Sequence, residues 1–234
     1  MNSPKLSPRL LAAAGFVRNG SFAADIGTDH AYLPIYLCSS GRIIGAVASD
    51  INEGPVARAL INVADYHLTK KITVLRADGL SGIEEYRPND IMICGMGGEL
   101  ITEIIKSAEW TRDKKIRLIL QPMTHADKLR AYLLENGYSI VDEAIVKDDK
   151  IYQIICAEYA GNVYEYSPVE LIFGRHNIAR GGEVFYEYAA YVKNVFLTRK
   201  NGKLCSGADV SEECFIIDEI DKLLKVREKG NDGN

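Results

Sequence analysis

Cysteine and histidine are scarce in this chain and follow no ligand pattern. The five cysteines are odd in number and include no Cys-x-x-Cys pair, so the sequence shows no disulfide framework. Cys94 and Cys156 lie within apolar runs typical of buried strands, as expected for free thiols in a reducing compartment. The four histidines are scattered, and none has the spacing of a metal ligand. We therefore expect no metal and a cytoplasmic protein.

Long hydrophobic runs and a strong charge imbalance are also missing. No stretch approaches the roughly 20 apolar residues that cross a membrane, and the apolar stretch before Phe16 is too short for a secretory signal. The formal net charge of −4 argues weakly against a surface coated by nucleic acid, although it leaves local basic patches open. With 47% hydrophobic residues, the 234-residue chain can bury a substantial core. We expect no membrane partner.

Apolar runs alternate with helical patterns over the first two thirds of the chain. The predicted strands are Phe22–Ile26, Ile43–Ser49, Ile72–Arg76, Asp90–Cys94, Ile116–Leu120, Tyr138–Val146 and Ile151–Tyr159. Alternation of nearly continuous apolar strands with helices is typical of a parallel sheet covered on both faces. The last two strands are joined by a tight polar turn, so they should be antiparallel. The sequence predicts an α/β fold with a Rossmann-like sheet of about seven strands that ends in an antiparallel hairpin.

The pattern changes after Gly161. Apolar residues recur at three- and four-residue spacing in 184–196 and again in 215–224, which indicates two amphipathic helices. We expect a polar loop, Asn201–Val210, to join them into an antiparallel hairpin. The predicted domains are therefore a Rossmann-like domain at residues 1–160 and a helical domain at residues 161–234.

Three consecutive predicted strands end beside an aspartate: Asp25, Asp50 and Asp78. On neighbouring parallel strands these side chains should converge on one crevice. Because a cluster of buried like charges is costly without donors, we expect a ligand rich in hydroxyl, amino or ammonium groups. S-adenosylmethionine is such a ligand. The alternative for each acid is helix capping, and Thr28 or Asp29 would then cap the helix after the first strand.

The glycine pattern argues against a dinucleotide. A dinucleotide fold needs Gly-x-Gly-x-x-Gly after its first strand, but Gly27–Tyr32 has one glycine and an extra acid. A carboxylate there would repel a pyrophosphate at close range. The glycine-rich segment Gly95–Gly98 follows the fourth strand and lacks the lysine of a P-loop. The pattern therefore favours a cosubstrate without phosphate.

Four segments together carry a resemblance to a known family. They are Ala-Asp-Ile-Gly-Thr-Asp-His-Ala-Tyr-Leu-Pro at 24–34, Ala-Asp-Gly-Leu at 77–80, Ile-Cys-Gly-Met-Gly-Gly at 93–98 and Leu-Gln-Pro-Met at 120–123. The chain resembles the bacterial TrmK family, class I S-adenosylmethionine-dependent methyltransferases that act on N1 of adenine 22 in tRNA. The likeness runs from Leu6 to about Glu158, and the helical C-terminal segment is similar to the family's coiled-coil-like appendage. In one departure, Asp50 stands where related proteins often have glutamate.

The resemblance implies S-adenosyl-L-methionine as cofactor and assigns contacts to it. The implied cofactor residues are Asp25 and Gly27 at the methionine part, Asp50 at the ribose, Asp78 and Gly79 at the adenine, Gly95 and Met96 beside the sulfonium, His30 near the methyl, and Ile51 as a further contact. Met96 as a core residue is the alternative. Asp29 is the predicted catalytic residue, because a carboxylate that accepts from the adenine amine stabilises the positive charge of the transition state.

The implied partner is tRNA, and the target base must leave its stack because N1 lies on the Watson–Crick edge. Candidate substrate or RNA contacts are Arg9, Tyr32, Gln121 and Pro122, with helix packing as the alternative for Tyr32. Two other functions stay open: an S-adenosylmethionine-dependent methyltransferase of another RNA or a small molecule, and a nucleotide- or RNA-binding module without turnover. We expect a monomer or a weak dimer.

Overall fold

The computed structural model describes residues 3–231, and the chain folds into two compact units, Met1–Glu165 and Tyr166–Asn234. The first unit contains a seven-stranded sheet and five α-helices. The strands are β1 Ser21–Ile26, β2 Ile43–Asp50, β3 Ile72–Arg76, β4 Asp90–Met96, β5 Arg117–Pro122, β6 Tyr138–Lys147 and β7 Ile151–Tyr159. The helices are α1 Pro8–Phe16, α2 Tyr32–Ser39, α3 Glu53–Asp65, α4 Gly98–Lys106 and α5 Ala126–Glu135, with 3₁₀ turns at Ile83–Tyr86 and Glu109–Arg112.

The strand order of the sheet is β3-β2-β1-β4-β5-β7-β6. Strands β1 to β5 are parallel, whereas β7 runs antiparallel to both β5 and β6. The predicted α/β fold with its reversed final hairpin is therefore confirmed. The chain builds outward from β1 to β3 and then returns to the other side of β1 with β4. This reversal creates a crevice at the carboxyl ends of β1 and β4, where ligands bind in wound α/β folds.

The strands of the parallel part of the sheet are buried on both faces. In β1 and β2 almost every side chain is buried, because helices cover both faces of the sheet. Helix α2 is also apolar over most of its circumference, as a helix inside the core requires. Helix α1 begins at Pro8. At its C-terminal end the Arg42 guanidinium donates to the carbonyls of Gly15 and of Val17, the residue that follows the helix. The core thus fixes the strand ends that carry the site.

All regular secondary structure that the structure describes in the second unit is helical, and it differs in two ways from the prediction. Its helices are α6 Pro168–Phe173, α7 Arg175–Arg180, α8 Glu183–Cys205 and α9 Ser211–Asn231. The sequence pattern did not predict the two short helices, the first of which has a capping box at Ser167. The predicted loop from Asn201 was also wrong at its start, because α8 continues through Gly202 to Cys205. A Lys203–Glu213 ion pair of 2.6 Å then links α8 to α9.

Candidate active site

A cleft of about 390 Å³ lies at the reversal point of the sheet. It is bordered by the ends of β1 and β4, by the β1–α2 loop and by α1. Its lining residues are Arg9, Leu10, Asp25, Gly27, Thr28, Asp29, His30, Ala31, Tyr32, Leu33, Cys94 and Gly95. The structure therefore brings together seven of the predicted site residues, although they were assigned to different parts of the cofactor and substrate.

Asp25 is the buried acid of the cleft. It is only 6% exposed, and burial raises the pKa of its carboxyl to about 6, while a hydrogen bond from Thr28 opposes that rise. Within residues 3–231, no ion pair neutralises this carboxylate. An ionised Asp25 is therefore suited to a cationic or ammonium-bearing ligand, which would supply the missing partner.

Gly27 allows the turn that ends β1. Its φ is +75°, a conformation that glycine adopts without strain. A Cβ at this position would lie under 3.0 Å from the terminal methyl of Met96, so the Met96 side chain lies directly against the turn. The N–H groups of Gly27 and Thr28 both donate to the carbonyl of Ser49 at 2.8 Å. These bonds tie the turn to the end of β2.

The capping alternative for Asp29 is wrong, because the entry into α2 uses other residues. The residue before α2 is Ala31, in the left-handed conformation with φ 55°, and the helix has no side-chain cap. The Thr28 hydroxyl accepts the Ala31 N–H at 3.0 Å and so closes the turn. The Asp29 carboxylate instead forms an ion pair with Arg58 of α3, and its Oδ2 lies 3.3 Å from His30 Nε2.

Two aromatic rings stand on the rim of the cleft. The His30 and Tyr32 rings are stacked, with centroids 5.1 Å apart and an interplanar angle of 10°. Tyr32 is 39% exposed, so its ring is not buried in helix packing, which was the alternative for this residue. Asn62 of α3 donates to the His30 carbonyl at 2.9 Å and holds this segment. An exposed, fixed pair of rings provides a flat surface for a nucleobase.

Gln121 lies at the floor of the site, and its side chain is fully buried. Its Oε1 accepts hydrogen bonds from Arg9 Nη1 at 2.7 Å and from the Gly95 backbone N–H at 3.1 Å. Pro122 is buried as well. The sequence predicted Arg9, Gln121 and Pro122 as substrate contacts. Of these three residues, Arg9 lines the cleft, whereas Gln121 and Pro122 do not. Gln121 acts on the cleft through Arg9 and Gly95.

The glycine-rich segment after β4 packs against the segment after β5. The Gly98 N–H donates to the Thr124 carbonyl at 2.8 Å. A Cβ on Gly98 would lie under 3.0 Å from the backbone oxygens of Thr124 and His125. Only glycine allows the two backbones to approach this closely. This packing fixes the position of Gly95 at the mouth of the cleft.

The remaining predicted cofactor residues do not line this cleft. Asp78 and Gly79 line a second cavity of about 700 Å³, formed with α4 and Trp110. Asp50 belongs to the lining of neither cavity, and its Oδ1 accepts the Asn52 N–H at 2.8 Å in the turn before α3. The expectation of one crevice shared by three aspartates therefore differs from the structure. Asp25 lines the cleft and Asp78 the second cavity, although the carboxyl ends of β1, β2 and β3 are adjacent in the sheet.

Ile51 is half-exposed beside Asp50, and its carbonyl accepts a hydrogen bond from Arg76 at 2.8 Å. The sequence did not single out Arg58, because a lone arginine on a helix surface has no motif to mark it. Residues 3–231 hold no group of three or more His, Cys, Asp or Glu side chains that would fit a metal ion. Over the same residues, no helix combines the length and apolarity needed to cross a membrane.

Comparison with known proteins identifies the family. A family model described as "Methyltransferase domain" matches residues 6–155. The tRNA (adenine(22)-N(1))-methyltransferase of Bacillus subtilis is 39% identical over 175 residues, which cover 74% of each chain. This chain belongs to the TrmK family. The resemblance read from the four motif segments is thereby confirmed.

Three solved structures, two of them TrmK proteins, match this chain over more than nine tenths of its length. The Bacillus subtilis m1A22 tRNA methyltransferase TrmK is 30% identical, with a TM-score of 0.79 over 96% of this chain and 98% of that one. The Mycoplasma capricolum TrmK in complex with S-adenosyl-homocysteine is 28% identical, with a TM-score of 0.76 over 94% and 97% of the two chains. A Streptococcus pneumoniae protein in complex with S-adenosyl-L-methionine is 32% identical, with a TM-score of 0.82 over 92% and 98%.

Proposed function

We infer that this chain transfers the methyl group of S-adenosyl-L-methionine to N1 of adenine 22 in tRNA. The observation that carries this conclusion is the 39% identity to the Bacillus subtilis enzyme of that specificity. The cleft at the ends of β1 and β4 agrees with it, since a buried, unneutralised carboxylate and an exposed pair of rings lie in the same hollow. Relatives with bound cofactor or cofactor product support the choice of methyl donor.

The residues at the end of β1 fit such a cofactor. Among the residues that the structure describes, the side-chain partner of the Asp25 carboxylate is the Thr28 hydroxyl, so the carboxylate can also accept from the ammonium of the methionine part. Gly27 lets the backbone come close, and Met96 adds a polarisable thioether beside it. We propose Asp50, Ile51, Asp78 and Gly79 as contacts of the ribose and adenine, because the strand ends that carry them lie beside the end of β1 in the sheet.

Methyl transfer to N1 requires the protein to align the reacting atoms and to stabilise the positive charge that develops on adenine. The cofactor supplies an electrophilic methyl group on a sulfonium. N1 of neutral adenine already carries a lone pair, so the enzyme needs no general base. Positive charge develops on adenine as it leaves the sulfonium, and a carboxylate near the exocyclic amine stabilises that charge. We propose Asp29 for this role, which its position in the lining of the cleft supports. Alignment of the reacting atoms supplies much of the remaining acceleration.

Arg9, His30 and Tyr32 are the proposed contacts of the substrate nucleotide. An extruded base loses its neighbours in the RNA, and stacking on the exposed face of the ring pair compensates for that loss. Gln121 holds Arg9 in the lining of the cleft, with the Arg9 guanidinium 5.6 Å from the centroid of the Tyr152 ring. Its cationic head can meet an acceptor atom of the base or a phosphate.

We also propose that residues 1–160 form the methyltransferase domain and residues 161–234 a separate helical domain. The boundary between the two compact units at Glu165 supports a division in this region. The tRNA substrate supports action in the cytoplasm. Because the nucleophile needs no activation, we propose catalysis without a metal, so activity should survive an excess of chelator. A monomer or weak dimer is the oligomeric state that light scattering should find.

The test of the function is methyl transfer from labelled S-adenosyl-L-methionine to tRNA that lacks the modification. Mass spectrometry of the digested nucleosides should show labelled 1-methyladenosine and no labelled N6-methyladenosine. Free adenosine and an unrelated RNA serve as alternative substrates. Transfer to either of these but not to tRNA would favour another substrate, and tight tRNA binding without transfer would favour a binding module.

A further inference from the structure

Arg58 stands beside the proposed catalytic carboxylate and was not predicted as a site residue. Its Nε donates to Asp29 Oδ1 at 3.1 Å, and its Nη2 contacts the same oxygen. The guanidinium thus places a permanent positive charge beside one oxygen of Asp29, and His30 Nε2 lies 3.3 Å from the other oxygen, Oδ2. A paired Asp29 is a weaker acceptor for an adenine amine than an unpaired one, because the arginine already offsets its charge.

The geometry of the pair makes it exchangeable. Both side chains are well exposed, 47% for Arg58 and 58% for Asp29, and an exposed ion pair contributes little in water. Both arginine nitrogens converge on one carboxylate oxygen, so the two-oxygen fork that Arg prefers is not made. A phosphodiester offers that fork and a full charge. It can therefore take Arg58 from Asp29 at little cost.

The position of the pair fits a phosphate of the target nucleotide. When a base enters the cleft far enough for N1 to reach the methyl group, its sugar and phosphates stay outside at the rim. Arg58 lies at this rim through its contact with Asp29, which lines the cleft. A cation at that place meets the RNA backbone, whose phosphates contribute a large share of the binding free energy in protein–nucleic acid complexes.

We propose that Arg58 binds a backbone phosphate of the tRNA substrate and releases Asp29 to the adenine amine as it does so. This inference rests on the proposed function. Phosphate binding and base recognition are then coupled, because the carboxylate becomes available only when the guanidinium has another anion. Free adenosine has no phosphate to make the exchange, so it should react poorly even at high concentration.

The experiment measures tRNA binding to the full-length enzyme as a function of KCl concentration for the wild type, Arg58→Gln and Arg58→Lys. The matched control is Arg76→Gln, because Arg76 is also an exposed arginine in an ion pair, with Glu53 at 2.7 Å, and does not line the cleft. For Arg58→Gln we expect tRNA affinity about 10-fold weaker and a salt slope smaller by about one ion. Arg58→Lys should keep most of the slope, and the control should match the wild type.

Turnover supplies the second readout. At saturating tRNA, kcat of Arg58→Gln should stay within about 3-fold of the wild type, because Asp29 is then unpaired without help from the phosphate. An unchanged salt slope with a large loss of kcat would overturn the proposal and assign Arg58 to holding Asp29 in place. An unchanged slope with unchanged kcat would also overturn it. If the wild type bound tRNA but never methylated it, the proposed function would fail while the salt slope still tested Arg58.

Discussion

The side-chain oxygen of Gln121 accepts a hydrogen bond from the Arg9 guanidinium at 2.7 Å, and this bond joins helix α1 to the end of strand β5. The same oxygen accepts the Gly95 N–H at 3.1 Å. A fully buried amide thus fixes both a cation at the cleft and the backbone of the loop after β4. Gln121 therefore acts as a positioning residue, because it holds Arg9 and the Gly95 backbone at the cleft.

Replacement of Gln121 by Leu should separate positioning from folding. The change leaves the Gly95 N–H and the Arg9 head without their acceptor, which costs about 1–3 kcal/mol of folding stability. We expect kcat/KM for tRNA to fall by about 10- to 100-fold per folded molecule, because misplacement of reacting groups is costly. Steady-state kinetics and chemical denaturation measure the two effects.

Gln153→Leu is the matched control for this variant. Gln153 is also buried, and it accepts a hydrogen bond from Arg130 at 2.6 Å, away from the cleft. It should lose a similar amount of stability and keep its kinetic constants. Equal kinetic losses in both variants would mean that Gln121 has no special relation to the site.

The ionisation of Asp25 should control cofactor affinity. Its pKa of about 6 in the free enzyme means that the carboxylate is protonated below that pH and cannot pair with an ammonium. The association constant for S-adenosyl-L-methionine should fall by about tenfold per pH unit below pH 6 and stay level above it. Calorimetry from pH 5 to pH 8 measures this dependence, and Asp25→Asn should bind weakly with little change across the range.

His30→Gln tests whether another titrating group near the cleft explains that transition. This variant removes the imidazole beside Asp29 and should keep the transition near pH 6. Loss of the pH dependence in His30→Gln, or its persistence in Asp25→Asn, would assign the transition to a group other than Asp25.

The close approach at Gly98 predicts a strong effect of a single methyl group. In Gly98→Ala the new Cβ would meet two backbone oxygens, of Thr124 and His125, under 3.0 Å. The loop after β4 must then move, at a cost of about 2 kcal/mol or more. Gly15→Ala is the control, since no atom lies within 4 Å of its Cβ in α1 and the change favours a helix. Thermal unfolding should show a lower Tm for the first and an equal or higher Tm for the second.

Tyr32 should act on the RNA substrate and not on the cofactor. Its exposed ring, stacked on His30, offers a surface whose loss costs about 1–3 kcal/mol per stacked base. Tyr32→Ala should therefore lower kcat/KM for tRNA by about 5- to 150-fold. Tyr32→Phe should keep most activity, because the ring face remains. A similar loss of S-adenosyl-L-methionine affinity in Tyr32→Ala would place the ring against the cofactor instead.

The parts of the molecule that the sequence predicted are those that depend on local patterns. Apolar runs that end in an acid identified β1 and β2, and the tight polar turn identified the antiparallel pair β6 and β7. The exact start of α2 could not be predicted from the sequence, because Ala31, the residue before the helix, adopts a left-handed conformation that is unusual for alanine. Asn201 and Gly202 predicted the start of a loop, but both lie within α8, where Gly202 faces open space.

The site contacts that the sequence missed depend on which surfaces meet in three dimensions. Gln121 ends a strand at the carboxyl edge, where a polar residue normally faces the ligand, but Arg9 and Gly95 cover it. Arg58 lies 29 positions from Asp29, and no spacing rule relates a helix surface to the loop beside it. Periodicity predicts faces of elements, whereas contacts between loops require the packed structure.

The most direct test of the account is reverse transcription of unmodified tRNA after incubation with the enzyme and S-adenosyl-L-methionine. A methyl group on N1 blocks the Watson–Crick edge, so extension should stop immediately before adenine 22. This stop should appear only when both enzyme and methyl donor are present, and it should be absent from a tRNA in which adenine 22 is replaced by guanine. Methyl incorporation with full-length extension, or a stop at another nucleotide, would contradict the central claim.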